Sequence, residues 1–184
     1  MINVALLGFG RIGQMHAQNI YLNKTLNLLY VFEKIDKLRK KAKNLYNCKI
    51  EKDYKKIFSD EKVDIIFISS PTNTHIRFIE EGIKYNKTIF CEKPLDLNIN
   101  KIVKTFKKVK KNNSKIQMGF NRRFDPSHHS IKKDLEKGKI GRLEKIIITS
   151  RDPAPPSKVY LKSSGGIFKD MMIHDFDLCR YYLN

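Results

Sequence analysis

Tryptophan is absent and cysteine is scarce, with only Cys48, Cys91 and Cys179 in 184 residues. Their odd number, wide separation and lack of a CxxC pair argue against a disulfide framework or a zinc site. Cys91 lies in an apolar run and reads as a small buried hydrophobe. No grouping of His, Cys, Asp and Glu has metal-ligand spacing, so no metal is expected. No apolar run reaches the ~18–20 residues that would span a bilayer, so no membrane partner is expected. Residues 1–8 lack a basic leader and run into a glycine turn rather than a cleavage site, which makes a cytoplasmic location the default expectation.

Acidic residues are also few, 19 against 37 lysines and arginines, for a net charge of +18. Such an excess can signal nucleic acid. The lysines, however, fall on expected helix faces, in 37–41 and 104–111, and no zinc-finger, RNP-like or basic-tail pattern accompanies them. A solvated lysine-rich surface is therefore preferred, with a charge-driven nucleic-acid binder as the alternative.

What is present is alternation. Short β-branched runs at 3–7, 28–32, 63–69, 88–91 and 115–118 read as strands. Amphipathic stretches at 11–22, 36–46, 74–85 and 98–111 read as helices, with a short helical turn at 54–58. Thr74 is available to cap the third of those helices. Ile102, Val103, Phe106 and Val109 are assigned to one apolar face of the fourth. Alternation of this kind builds a parallel sheet covered by helices on both sides, a Rossmann-type α/β domain over residues 1–120. From residue 121 the texture changes. A helix over 125–136, a strand over 143–150, a Pro-rich loop (152–156), a Ser/Gly loop (163–166) and a last helix from about Asp170 are expected. These would begin an α+β substrate and oligomerisation domain over 121–184, of which only part is expected to be present.

Gly8-Phe9-Gly10-Arg11-Ile12-Gly13 fits GxGxxG, a weak pattern alone but one that here follows a strand and opens a helix. Gly8 allows the tight turn, Gly10 lets a pyrophosphate approach the backbone, and Gly13 lets helix and strand pack closely. The first helical turn, Arg11 and Ile12 included, then offers N–H groups to the phosphates. Glu33 ends the second strand 20 residues after Gly13, where an acid would hold the adenosine ribose hydroxyls. Its charge favours NAD over NADP. Lys34 and Lys37 lie close enough to weaken that preference.

Four further segments resemble the Gfo/Idh/MocA family of oxidoreductases. They are Ser69-Ser70-Pro71-Thr72-Asn73-Thr74-His75, Cys91-Glu92-Lys93-Pro94-Leu95, Gly119-Phe120-Asn121-Arg122-Arg123-Phe124-Asp125 and Gly165 through Asp177. With the glycine turn they follow family order along essentially the whole chain. The resemblance implies that Ser70, Pro71, Thr72, His75, Glu92 and Lys93 line the cofactor on its nicotinamide side. It also implies a cis peptide at Lys93–Pro94, a small polyol or sugar substrate, and a homo-oligomer for a complete protein. Within the family, the segment Arg151–Pro156 and the run around His174 are most similar to members that oxidise myo-inositol to its 2-keto form. Other polyol and sugar dehydrogenases share much of the pattern, and a dinucleotide-binding fragment without chemistry is a third reading.

Alcohol oxidation needs a hydride acceptor, a base for the hydroxyl proton and a group that steadies the developing alkoxide. Asp170 and His174 are four apart, so on one helix they would share a face, and a carboxylate beside an imidazole raises its basicity. On spacing alone such a pair is more often a structural contact; the resemblance assigns it to catalysis, with His174 as base and Lys93 beside it. Asn121, Arg122 and Asp152 are candidate partners for polyol hydroxyls, an interdomain salt bridge being the alternative for Arg122. Asp175 and Asp177 are expected only to charge the helix start, and His128 and His129 to sit on an exposed helix without ligand duty.

Overall fold

The computed structural model describes residues 1–152 and 154–183. They form two compact units, Met1–Gly119 and Phe120–Asn184.

The first unit alternates strand and helix: β1 (Ile2–Leu7), α1 (Arg11–Leu22), β2 (Leu26–Phe32), α2 (Asp36–Tyr46), β3 (Lys49–Glu51), α3 (Tyr54–Ser59), β4 (Ile65–Ile68), α4 (His75–Lys84), β5 (Thr88–Cys91), α5 (Ile99–Lys111) and β6 (Ile116–Met118). The six strands are all parallel, in the order β3-β2-β1-β4-β5-β6. The order reverses at β1, which places a ligand crevice at the carboxyl ends of β1 and β4.

Successive residues of a strand face opposite ways, and β1 shows how this divides the core. Val4 and Leu6 pack with Ala17, Ile20 and Ala42 of α1 and α2. Ala5 and Leu7 pack with Ile57, Phe58, Phe78, Ile79 and Val109 of α3, α4 and α5. Burying each large side chain contributes roughly 1.5–3 kcal/mol before entropy is counted. Helices therefore cover both faces, and the first unit is the expected parallel α/β sheet.

Three local readings need correction. β3 was not anticipated; it is a three-residue edge strand held in register by Tyr30 to Phe32 of β2, too short to leave a pattern in the sequence. Thr74 does not cap α4: its hydroxyl instead donates to the Pro71 carbonyl at 2.7 Å. The apolar face of α5 is also rotated, since Thr105 and Val109 are buried whereas Val103 and Phe106 are exposed. Lys110 lies over the Phe106 ring at 5.2 Å, so the aromatic is partly screened by an aliphatic stem and its charge.

The second unit, over its described residues, is helical: α6 (Pro126–Glu136), α7 (Lys158–Ser164), α8 (Ile167–Asp170) and α9 (Ile173–Leu183). Asp125 caps α6, accepting from Ser127 and His128 N–H, with Pro126 suited to the first helical position. The strand expected over 143–150 is not formed. Its alternation survives, for Ile146 and Ile148 are half-buried while Ile147 is exposed. A strand, however, requires a hydrogen-bonded neighbour, and among the described residues the segment pairs with none. α7 was missed because Ser163 and Ser164 read as loop, whereas they are its last turn before Gly165 in the left-handed region at φ 83°. Within the expected Pro-rich loop, Pro153 lies outside the described residues.

Candidate active site

The cofactor loop follows from three glycines with three different duties. Gly8 has φ +97°, and a Cβ there would lie 2.7 Å from the Ser70 backbone. A Cβ on Gly13 would lie 2.1 Å from the Gly8 carbonyl oxygen, so α1 is pressed against the turn that feeds it. Gly10 has nothing within 4 Å of the same position. It sits at the N-terminus of α1, whose first turn receives no side-chain cap. Open space in front of uncapped N–H groups suits a pyrophosphate. Arg11 is exposed beside it and Ile12 is half-buried.

Glu33 directly follows β2, facing this loop. One carboxylate oxygen accepts from Phe9 N–H at 2.7 Å and the other from Ile35 N–H at 2.9 Å. Each oxygen keeps a further acceptor position, so the carboxylate is aimed yet still able to receive two ribose hydroxyls. Lys34 and Lys37 are exposed. The nearer cation is Arg39, which donates to the Glu33 and Lys34 carbonyls and to Asp36. Arg39 was overlooked in the sequence; its place in the first turn and a half of α2, six residues past the acid, was the available signal. The glycine turn, the aimed carboxylate and the sheet order together fit a dinucleotide.

The loop after β4 is tied to that turn, with the Ser69 hydroxyl donating to the Gly8 carbonyl at 2.9 Å. Ser70 and Thr74 hydroxyls share a hydrogen bond at 2.6 Å, Pro71 is exposed and Thr72 half-buried. His75 is buried, and its two ring nitrogens lie 2.9 Å from the Pro94 carbonyl and 2.8 Å from the Ser70 carbonyl. At the carboxyl end of β5, Glu92 meets His16 of α1 at 2.7 Å, a residue with no warning in the sequence because its partner is 76 positions away. Lys93 follows, half-buried, and the Lys93–Pro94 peptide is cis. Cys48 and Cys91 are buried free thiols; desolvation raises both, and the Glu92 carboxylate adds to the rise at Cys91. Buried thiols of this kind stay protonated and inert.

The concavity bounded by Met1, Lys24, Asp64 and Thr88 lies at the amino ends of the strands, away from every residue above. Parallel sheets bind ligands at the opposite edge, and the geometry of the glycine turn outweighs the size of that hollow.

In the second unit, Asp170 and His174 do not share one regular helix. Asp170 closes α8 and His174 lies in the first turn of α9, with a break at Met171–Met172. Irregular bonds mark the break: Met172 N–H reaches back five residues to Ile167, and His174 N–H only three to Met171. Asp170 accepts from the Tyr160 hydroxyl at 2.7 Å, a partner supplied by the unforeseen α7. The His174 ring stands edge-on to Phe120.

Arg122 pairs with Asp175, with Ser150 bonded to both. Arg123 makes a two-pronged pair with Asp177 at 2.7 and 2.6 Å, which raises the Arg123 pKa through that hydrogen bond. Asp175 and Asp177 thus bind the 121–124 turn to α9 rather than merely charging a helix start, and the Arg122 pair lies within the second unit. His128 and His129 bond the Tyr182 and Tyr181 hydroxyls, His128 being half-buried rather than exposed. Asn121 and Asp152 are exposed.

A doubly covered 3-2-1-4-5-6 sheet with a glycine turn and an acid after β2 defines a dinucleotide-binding domain. Comparison with known proteins narrows this. Residues 2–120 match the oxidoreductase family with NAD-binding Rossmann fold, and residues 128–184 match the GFO/IDH/MocA C-terminal domain. The chain belongs to the Gfo/Idh/MocA oxidoreductase family, and NAD is its cofactor. It is 39% identical over 182 residues to an inositol 2-dehydrogenase of Rhizobium meliloti, covering 99% of this chain and 55% of that protein. A myo-inositol dehydrogenase structure from Corynebacterium glutamicum superposes with a TM-score of 0.94 at 38% identity, covering 99% of this chain and 55% of the other. The scyllo-inositol dehydrogenase of Lactobacillus casei with bound NAD(H) and scyllo-inositol gives 0.87 at 32% identity, with 99% and 56% covered. The chain thus spans about half the length of the curated relatives it matches.

No helix among the described residues is long and apolar enough to cross a membrane.

Proposed function

We propose that the chain serves the NAD-dependent oxidation of a secondary alcohol on a cyclic polyol, myo-inositol to its 2-keto form first among these. The observation that carries this is the Glu92-Lys93-Pro94 turn at the same sheet edge as the glycine turn, tied to it through His16 of α1. A relative named inositol 2-dehydrogenase is 39% identical over 99% of this chain, which supports the choice of substrate class.

Bound NAD supplies the hydride acceptor. Gly8, Gly10 and Gly13 shape its pyrophosphate site, and Glu33 receives its adenosine ribose. Ser70, Pro71, Thr72 and Glu92 line the nicotinamide side. The Lys93 ammonium donates to the substrate hydroxyl and steadies negative charge as it develops on that oxygen. His174 takes the hydroxyl proton. Asp170, itself held by Tyr160, orients the imidazole. Arg122 uses one nitrogen for Asp175 and Ser150, and a guanidinium has five N–H donors, so others serve polyol hydroxyls with Asn121 and Asp152. Several such partners are needed to discriminate among inositol stereoisomers.

The test is a panel of myo-inositol, scyllo-inositol and common aldoses with NAD, followed by absorbance of the reduced nicotinamide. The expected result is the highest kcat/KM with myo-inositol. A preferred aldose would move the assignment to a sugar dehydrogenase, and NAD binding without turnover on any member would reduce the chain to a binding module.

A further inference from the structure

Lys93 is flanked by two residues, and each is gripped by a histidine from a different face of the sheet. His16 belongs to α1, whose Ala17 and Ile20 pack with Val4 and Leu6 on one face. His75 opens α4, whose Phe78 and Ile79 pack with Ala5 and Leu7 on the other. From the first face, His16 Nε2 meets the Glu92 carboxylate at 2.7 Å. Its ring stands edge-on to Phe67 and Phe90, at 5.4 and 5.2 Å, which are themselves stacked at 4.4 Å. That packing leaves the imidazole little freedom to swing away. From the second face, His75 reaches the Pro94 carbonyl at 2.9 Å with one nitrogen and the Ser70 carbonyl at 2.8 Å with the other. Both partners are carbonyl oxygens, which can only accept, so whichever ring nitrogen carries the hydrogen has a carbonyl to donate to, in a ring only 1% exposed. A ring so engaged has no polar atom left for a cofactor, which argues against the direct contact with NAD implied for His75 by the family resemblance.

We infer that His16 and His75 are positioning residues forming a two-sided clamp on the Glu92–Pro94 turn, fixing the direction of Lys93. His75 also joins that turn to the Ser70 loop, so the nicotinamide-side loop and the lysine move as one body. The clamp's purpose rests on the reading of Lys93 as the group that meets the substrate hydroxyl. A lysine stem has a fixed reach, so the volume its ammonium can occupy depends on the backbone that carries it. Misplacement of a reacting group by ~1 Å costs on the order of 100-fold in rate.

The test uses His16→Phe, which keeps the edge-on packing but loses the donor to Glu92, and His75→Gln, which keeps a donor for one carbonyl, beside His75→Ala. Acetylation rates of individual lysines are measured by mass spectrometry with and without NADH, alongside Tm. Lys93 labelling is expected to rise about tenfold in His16→Phe and His75→Ala, as for a locally released segment. The rise should be smaller in His75→Gln, and the exposed Lys110 and Lys137 should be unchanged. An unchanged Lys93 rate in folded variants, or parallel increases at all lysines with a falling Tm, overturns the clamp. If a His75 variant does not fold, His16→Phe decides alone. NADH protection of Lys93 in the wild type tests the cofactor reading separately: its absence would count against that reading while the variant rates still decide the clamp.

Discussion

Replacing His174 with alanine is expected to lower polyol-dependent NADH formation at least ~100-fold, the loss typical of a missing general base, while NAD affinity stays within about twofold because the dinucleotide is held by the first unit. Lys93→Ala should lose turnover on a similar scale, since it removes the charge proposed to steady the alkoxide. Asp170→Asn should have a smaller effect. The Tyr160 hydroxyl can still bond the amide oxygen, so the side chain keeps its place and loses its charge. The measurement is steady-state kinetics beside NAD titration for each variant. Near-wild-type turnover in either alanine variant would remove that residue from the mechanism.

A second contrast separates fold from cofactor binding within one loop. Gly13→Val drives a side chain into the Gly8 carbonyl, which a Cβ alone would approach to 2.1 Å. A backbone oxygen cannot step aside as a flexible side chain can. The variant is expected to lose ~3 kcal/mol or more of first-unit stability, and NAD binding with it. At Gly10 a Cβ meets no atom within 4 Å, and the φ of −68° is one that any residue adopts, so Gly10→Val starts from open space. Its thermal stability should stay near wild type, while NAD affinity falls on the order of 100-fold because the side chain occupies the pyrophosphate's approach. Thermal melts and NAD titrations of the two variants check this. Unimpaired NAD binding in Gly10→Val would place the pyrophosphate elsewhere.

Five of the six parallel strands could be read from the sequence because each is a β-branched or apolar run that announces itself; the three-residue β3 and the strand order could not. Ile65–Ile68 is apolar on both faces, as a strand covered on both sides must be, and the glycine turn has one structural context that suits it. The second unit was less legible. The 143–150 run carries strand periodicity, but periodicity records which faces are apolar, not whether a neighbour exists to take the hydrogen bonds. Asp170 and His174 have helical spacing, yet spacing cannot show the break at Met171–Met172. The pairs His16–Glu92, Arg123–Asp177 and Tyr160–Asp170 join residues brought together only by folding, and one charged or aromatic residue among many gives no sign of its partner. Arg39 was nearer to hand: a cation just past the acid of β2 has a recognised place in dinucleotide selection, here occupied with two backbone carbonyls and Asp36.

That selection bears most directly on the central claim, that the first unit is an NAD site built on the glycine turn and Glu33. The deciding measurement is calorimetric titration of the chain with NAD and, separately, with NADP. Saturable binding of NAD, at least ~10-fold tighter than NADP because a carboxylate held by Phe9 and Ile35 N–H groups repels a 2′-phosphate, is the predicted result. Glu33→Gln should narrow that ratio. Failure of NAD to bind would contradict the account outright. Tighter binding of NADP would contradict the role given to Glu33 and transfer it to Arg39 and its neighbouring lysines.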